Sequence, residues 1–139
     1  MKIILKGSTA IMGQAESEAL VCRQPVMFAS YVDKDSGVVL AKGHELDGKN
    51  VKDKIIVYPC ACGSAGEEAA LFMLSKIGMV PKAIIAGSIN HTPSIVGAIY
   101  ANIPMVYDFD QNCLDLINNG DHVKVDADTG IVEITKREA

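Results

Sequence analysis

Short apolar runs, broken by polar or glycine-bearing turns, fill the first third of the chain. KIIL (2–5), EALVCR (18–23), PVMFASYV (25–32) and GVVLAKG (37–43) are rich in aliphatic and aromatic side chains and read as β-strands. DKDSG (33–37) is a turn, and HELDGKNVKDK (44–54) is an exposed loop with a DG turn. The pattern then changes. KIIVYP (54–59) is apolar without alternation, as expected for a strand buried on both faces. Residues 65–77 predict a helix that is apolar around most of its circumference, with Gly78 ending it and Pro81 just beyond. KAIIAG (82–87) is a second buried strand. Thr92-Pro93 is an N-cap and first-turn pair for a helix over 93–102, and IPMVYDF (103–109) is a third buried strand. A short helical piece at 111–118 ends near Gly120. DHVKVDAD (121–128) and IVEITK (131–136) close as a hairpin across Thr129-Gly130.

The second half therefore reads β-α-β-α-β, which implies a parallel sheet with right-handed crossovers. Antiparallel strands flank it on both sides. The predicted fold is α/β: a compact β/β/α domain occupying residues 1–139 as one unit, without repeats or an internal linker. No GxGxxG occurs, so a nicotinamide cofactor has no support.

Composition narrows the partners. The net charge is −4, and only two residues, Arg23 and Arg137, are arginines. Without a basic stripe or an aromatic RNA-binding motif, nucleic-acid binding is not expected. No apolar stretch approaches the roughly 18 residues of a membrane span, and MKIILKGST is too short for a signal peptide. The four cysteines, Cys22, Cys60, Cys62 and Cys113, sit in a chain with enough aliphatic residues to build a core without disulfides. They read as reduced thiols of a cytoplasmic protein. One C-x-C and three scattered histidines do not match the spacing of a metal site, so no metal is assigned to this chain.

The chemistry concentrates in YPCACGSAGEE (58–68), where a buried strand meets a helix. Ser64-Ala65-Gly66-Glu67 is S-x-x-E, a capping box in which Glu67 would reach back to the Ser64 amide. The same stretch can cradle an anion. In open α/β sheets ligands collect at the carboxyl ends of the strands. Gly63 and Gly66 permit close backbone approach, and helix-terminal amides attract negative charge. That field would also favour a thiolate at Cys62 or an alkoxide at Ser64. The loops SINHTP (88–93) and DFDQN (108–112) leave the next two strands at the same edge, so three loops converge there. Gly63, Ala65, Gly66, Asn90 and His91 are the candidate substrate-binding residues, for a small anionic substrate. Cap and cradle remain open together. The order CGSAG is not a G-x-S-x-G elbow, and C-x-C is not the usual redox spacing.

Four features, in order along the chain, carry a resemblance: EALVCRQPVMFASYVDKDSGVV, GHELDGKNVKDKIIVYP, the Gly63-Ser64 pair before a helix, and PKAIIAGSINHTPSIVGAIYANIPMV. This pattern, spread over about residues 6 to 135, resembles the small swivel-domain subunit of the aconitase X family. The resemblance implies a swivelling β/β/α fold and a hydro-lyase that dehydrates a small hydroxy acid of the phosphomevalonate or hydroxyproline class. It implies activity only with a large aconitase-X-type catalytic subunit that carries an iron–sulfur cluster or iron, this chain binding no cofactor itself. By the same resemblance Ser64 is the catalytic base. A serine needs its alkoxide stabilised to act as a base, by helix-terminal amides and a nearby cation. Family members often carry Arg or Lys just before the glycine-serine pair, but Cys62 stands there, and neither arginine is near in sequence. The carboxylate clamp is therefore expected largely from the partner. His44 falls in the family's H-x-L-x-G segment and Asp33 and Gly37 in its VD-x-x-(S/T)G segment, all expected to shape turns. Cys60 is expected to pack.

Two alternatives stand beside this reading. Swivelling phosphohistidine carrier domains have a similar build and a histidine before a helix leading to an I-P-x-V strand. Counting back from Ile103-Pro104, that position falls on Pro93 and not on His91, and the carrier's glycine pair and arginine are missing. The other alternative is a non-catalytic subunit of the same fold.

Overall fold

The computed structural model describes residues 1–62, 66–89 and 91–138. Eight strands, β1 (Lys2–Lys6), β2 (Ser8–Ile11), β3 (Gln14–Val21), β4 (Ile55–Tyr58), β5 (Ala83–Ala86), β6 (Met105–Tyr107), β7 (His122–Asp126) and β8 (Ile131–Thr135), join in the order β1-β8-β7-β3-β4-β5-β6-β2. Four helices accompany them: α1 (Phe28–Tyr31), α2 (Gly66–Lys76), α3 (Thr92–Tyr100) and α4 (Cys113–Leu116).

β3 is the strand on which the sheet turns. Its first half, Gln14 to Glu18, runs antiparallel to β7, and its second half, Ala19 to Val21, runs parallel to β4. β4, β5 and β6 continue the parallel set. β4 and β5 are buried at every position, which is why their sequences do not alternate. Their alternate side chains enter two separate cores. Ile55, Val57, Ala83, Ile85 and Val106 pack with Leu5, Val123, Val125, Val132 and Ile134 of the antiparallel strands. Ile56, Tyr58, Ile84, Ala86 and Met105 pack with Leu71, Leu74 and Ala98 of the helices. The result is three layers: antiparallel strands, parallel strands, helices. The predicted β/β/α architecture holds, with β3 added to the parallel set.

The early segments differ from the prediction. PVMFASYV is not a strand: Val26 makes a single bridge to Ala61, and residues 28–31 form a helical turn. Pro25 removes a ladder donor, and the turn is capped from elsewhere in the chain, as described below. GVVLAKG contributes only the isolated bridges of Val38 and Val39. β2 and the first half of β3 were not predicted, because STAI and QAES bury little and carry too few apolar residues. α3 is capped one residue earlier than predicted, at His91, whose backbone is extended, so Thr92 lies inside the helix.

Candidate active site at the strand ends

The carboxyl ends of β4, β5 and β6 lie side by side, and backbone hydrogen bonds lace the loops that leave them. The Gly87 amide donates to the Tyr58 carbonyl at 3.0 Å, the Ser88 amide to the Pro59 carbonyl at 3.0 Å, and the Asp108 amide to the Gly87 carbonyl at 3.3 Å. A side chain at Gly87 would place its Cβ 2.9 Å from the Pro59 carbonyl oxygen, so only glycine permits this approach. The predicted convergence of three loops is therefore present among the described residues. Gly66 opens α2 and is exposed, and His91 caps α3. Gly63, Ser64, Ala65 and Asn90 lie outside the described residues.

Cys60 and Cys62 flank a short continuation of the parallel ladder. The Val26 amide donates to the Cys60 carbonyl at 3.3 Å, and the Cys62 amide donates to the Val26 carbonyl at 3.0 Å. Ala61 between them faces a small cavity of about 10 Å³, shared with Tyr58, Ser88, Ile89, His91 and Ser94. His91 Nδ1 lies 2.7 Å from the hydroxyl of Ser94, which is buried. The pair ties the second loop to the first turn of α3.

Glu67 is fully buried beneath this junction, with 0% of its surface exposed. Its carboxylate accepts from the Phe28 amide at 3.0 Å and the Ala29 amide at 2.6 Å. It thus caps α1, whose own N-cap residue, Met27, provides no side-chain acceptor. The capping box expected between Glu67 and the Ser64 amide involves a residue outside the described ones; among the described residues the carboxylate reaches across the chain. Nothing in the local sequence announces that role, although a helical turn headed by methionine leaves amides that something must satisfy.

The electrostatics overturn one expectation. Burial pushes the Cys62 thiol above its ordinary pKa, and the nearby Glu67 and Cys60 push it further. The junction therefore favours the protonated thiol over the predicted thiolate. Burial likewise raises Glu67, against the pull of the Ala29 and Phe28 amides and of His91. The Tyr58 phenol is raised by burial first and then by Glu67, Cys60 and Cys62. In all three groups burial is the first cause, and it works against the charged form.

The remaining predicted residues shape turns. His44 Nδ1 accepts the Leu46 amide at 3.1 Å, and Nε2 is 3.1 Å from the Pro25 carbonyl, to which it donates. Leu46 is buried and Gly48 has φ 82°, which explains the H-x-L-x-G spacing. Asp33 accepts from the Ser36 hydroxyl at 2.6 Å, and Gly37, at φ 77°, donates its amide to the Asp33 carbonyl. Among the described residues no three His, Cys, Asp or Glu side chains come together to hold a metal, and no helix is long and apolar enough to cross a membrane. Pro93, where a carrier domain would need its histidine, sits in the first turn of α3 and offers no nucleophile.

A β/β/α domain whose parallel strands end in laced loops, with a glycine-serine pair in the chain between β4 and α2, is a swivel domain. The chain belongs to the aconitase X swivel domain family, whose model matches residues 4–134. It is 39% identical over 132 residues to the phosphomevalonate dehydratase small subunit of Methanocella arvoryzae, covering 94% of this chain and 98% of that one. The small subunit of the same name from Thermococcus sibiricus is also 39% identical over 132 residues, covering 94% and 97%. The crystal structure of Thermococcus kodakaraensis aconitase X in its holo-form superposes with a TM-score of 0.89 at 36% identity, covering 96% of this chain and 99% of that one.

Proposed function

We propose that this chain is the small subunit of an aconitase-X-type hydro-lyase that dehydrates phosphomevalonate, with Ser64 as its catalytic base. The observation that carries this reading is similarity over nearly the full length of both chains to subunits of that name. The hydroxyproline class has no comparable support here. Dehydration removes a proton from the carbon next to a carboxylate and a hydroxyl from its neighbour. Ser64 takes that proton. It stands two positions before the first residue of α2, an 11-residue helix, so its alkoxide gains from the positive end of that helix. Gly63, Ala65, Gly66, Asn90 and His91 line the substrate's path by their positions in the two loops. An iron–sulfur cluster or iron would be held by the larger partner and would supply Lewis-acid chemistry for the departing hydroxyl. In this reading activity needs the complex, and this chain alone is inactive.

The test is co-expression with the large subunit, followed by a dehydration assay on phosphomevalonate. The expected result is a stable complex with turnover and a loss of about 100-fold or more in kcat for Ser64→Ala. Full turnover by Ser64→Ala removes serine from the role of base. A complex that ignores phosphomevalonate but dehydrates another hydroxy acid overturns the substrate, and failure to form a complex overturns the subunit assignment.

A further inference from the structure

An anionic substrate needs a positive charge, and the strand-end junction carries no lysine or arginine between Tyr58 and Leu74. The fold supplies one from a distance. Of the two arginines, Arg137 lies against Gly120 and has its amide held by Asp121. Arg23 lies two residues past the end of β3. Because β3 and β4 are parallel, with Val21 opposite Val57 and the Cys22 amide bonded to the Val57 carbonyl at 2.8 Å, Arg23 leaves the sheet at the same edge as Pro59 to Cys62.

Its backbone is fixed and its head is exposed. The Arg23 amide donates to Glu45 Oε1 at 2.7 Å, and the Glu45 amide donates to Gln24 Oε1 at 2.7 Å. The guanidinium donates through Nη1 and Nη2 to one acceptor, the Leu114 carbonyl, at 3.2 and 3.1 Å. Leu114 belongs to α4, which follows the third strand-end loop. None of the salt bridges among the described residues uses Arg23. A guanidinium resting on a neutral carbonyl keeps donors to spare, and it gains by turning a planar pair of them to an oxyanion.

We propose that Arg23 is the residue through which this chain binds an oxyanion of the substrate, carboxylate or phosphate, at the strand-end edge. The proposal rests on the hydro-lyase reading above. It is tested in the complex with the large subunit, using Arg23→Ala and Arg23→Lys. Arg23→Ala raises KM for phosphomevalonate about 10- to 100-fold, with a smaller change in kcat, and Arg23→Lys recovers part of the loss. Comparison with unphosphorylated mevalonate identifies the group bound. If it is the phosphate, the variant narrows the KM gap between the two substrates; if it is the carboxylate, both KM values rise alike. An unchanged KM in Arg23→Ala, with only a lower melting temperature, assigns Arg23 to anchoring α4 and overturns the proposal. Calorimetric titration of the complex with inorganic phosphate and with acetate separates this from the hydro-lyase reading. If the wild-type complex does not turn over, that reading falls, while at least tenfold weaker binding of either anion by Arg23→Ala still supports Arg23. Equal binding of phosphate and of acetate by both proteins, or binding of neither anion by the wild type, overturns it.

Discussion

Gly97 of α3 packs directly against the first turns of α2, and replacing it with alanine tests how the strand-end junction is held. A Cβ at this position would lie 2.9 Å from the Glu67 carbonyl oxygen, 3.0 Å from Leu71 Cδ1 and 3.1 Å from Glu68 Cα. Ordinary contact starts near 3.4 Å. The leucine methyl can rotate aside, but the two backbone atoms in the first turn of α2 cannot. α3 must therefore lift away by several tenths of an ångström, or α2 must shift. Two effects compete. Alanine in a helix interior is favoured over glycine by about 1 kcal/mol. Forcing a methyl into a packed site costs about 1–3 kcal/mol, here toward the upper end because the obstruction is backbone. The net expectation is a loss of about 1–2 kcal/mol, read as a fall of roughly 3–8 °C in the thermal midpoint for a domain of this size. Thermal unfolding followed by far-ultraviolet circular dichroism measures it. Turnover of the complex should fall further than stability alone explains, because the displaced turn is the one that follows Ser64 in the chain. An unchanged or higher midpoint would show that helix propensity outweighs the contact, and the argument from close approach would be wrong.

Glu67→Ala orphans the Phe28 and Ala29 amides and should cost about 2–5 kcal/mol, with faster hydrogen exchange at those two amides; exchange at the wild-type rate would contradict the capping role. Burial works to raise the pKa of Asp121, but the Arg137 amide, the Lys136 ammonium and the Asn118 amide outweigh it and hold the carboxyl below its ordinary 3.8. A lowered folded value stabilises above 3.8 and is lost as the pH falls through it. Asp121→Asn should therefore lose about 2–4 kcal/mol at neutral pH in urea denaturation, with the gap to wild type closing in acid; a gap independent of pH would refute it. Cys62, whose thiol burial pushes above its ordinary pKa, should alkylate with iodoacetamide more slowly at pH 7 than a free cysteine, as followed by mass spectrometry; faster labelling would restore the thiolate.

What the sequence made legible was what its own periodicity encodes. β4 and β5 announced themselves because burial on both faces leaves an uninterrupted apolar run, and their buried patterns agree. The hairpin of β7 and β8 was equally plain, since its buried positions alternate around the Thr129-Gly130 turn. The segment 25–32 misled for a physical reason. Its composition favours a strand, but Pro25 and a carboxylate 39 residues away decide the backbone of Phe28. Tertiary hydrogen bonds of that kind leave no local mark.

The charge we propose for the strand-end edge is hidden from the sequence in the same way. Judged by sequence distance, no cation lies near the serine, and the clamp was assigned to a partner. Sequence distance is a poor guide at this edge, because a parallel pair brings the residues just past both strands together however far apart they lie in the chain. Residues 23 and 59 leave the same end of the β3–β4 pair for this reason alone. The cysteine that stands before Gly63 then becomes intelligible. If Arg23 holds the oxyanion, the position before the glycine-serine pair no longer needs a charge. It can accept a small, partly buried thiol whose environment keeps it neutral. Arg23→Ala combined with Cys62→Arg separates the two positions. Recovery of the KM lost in Arg23→Ala would show that either position can supply one cation to the same substrate group, whereas a further loss would show that the two sites face different parts of the edge.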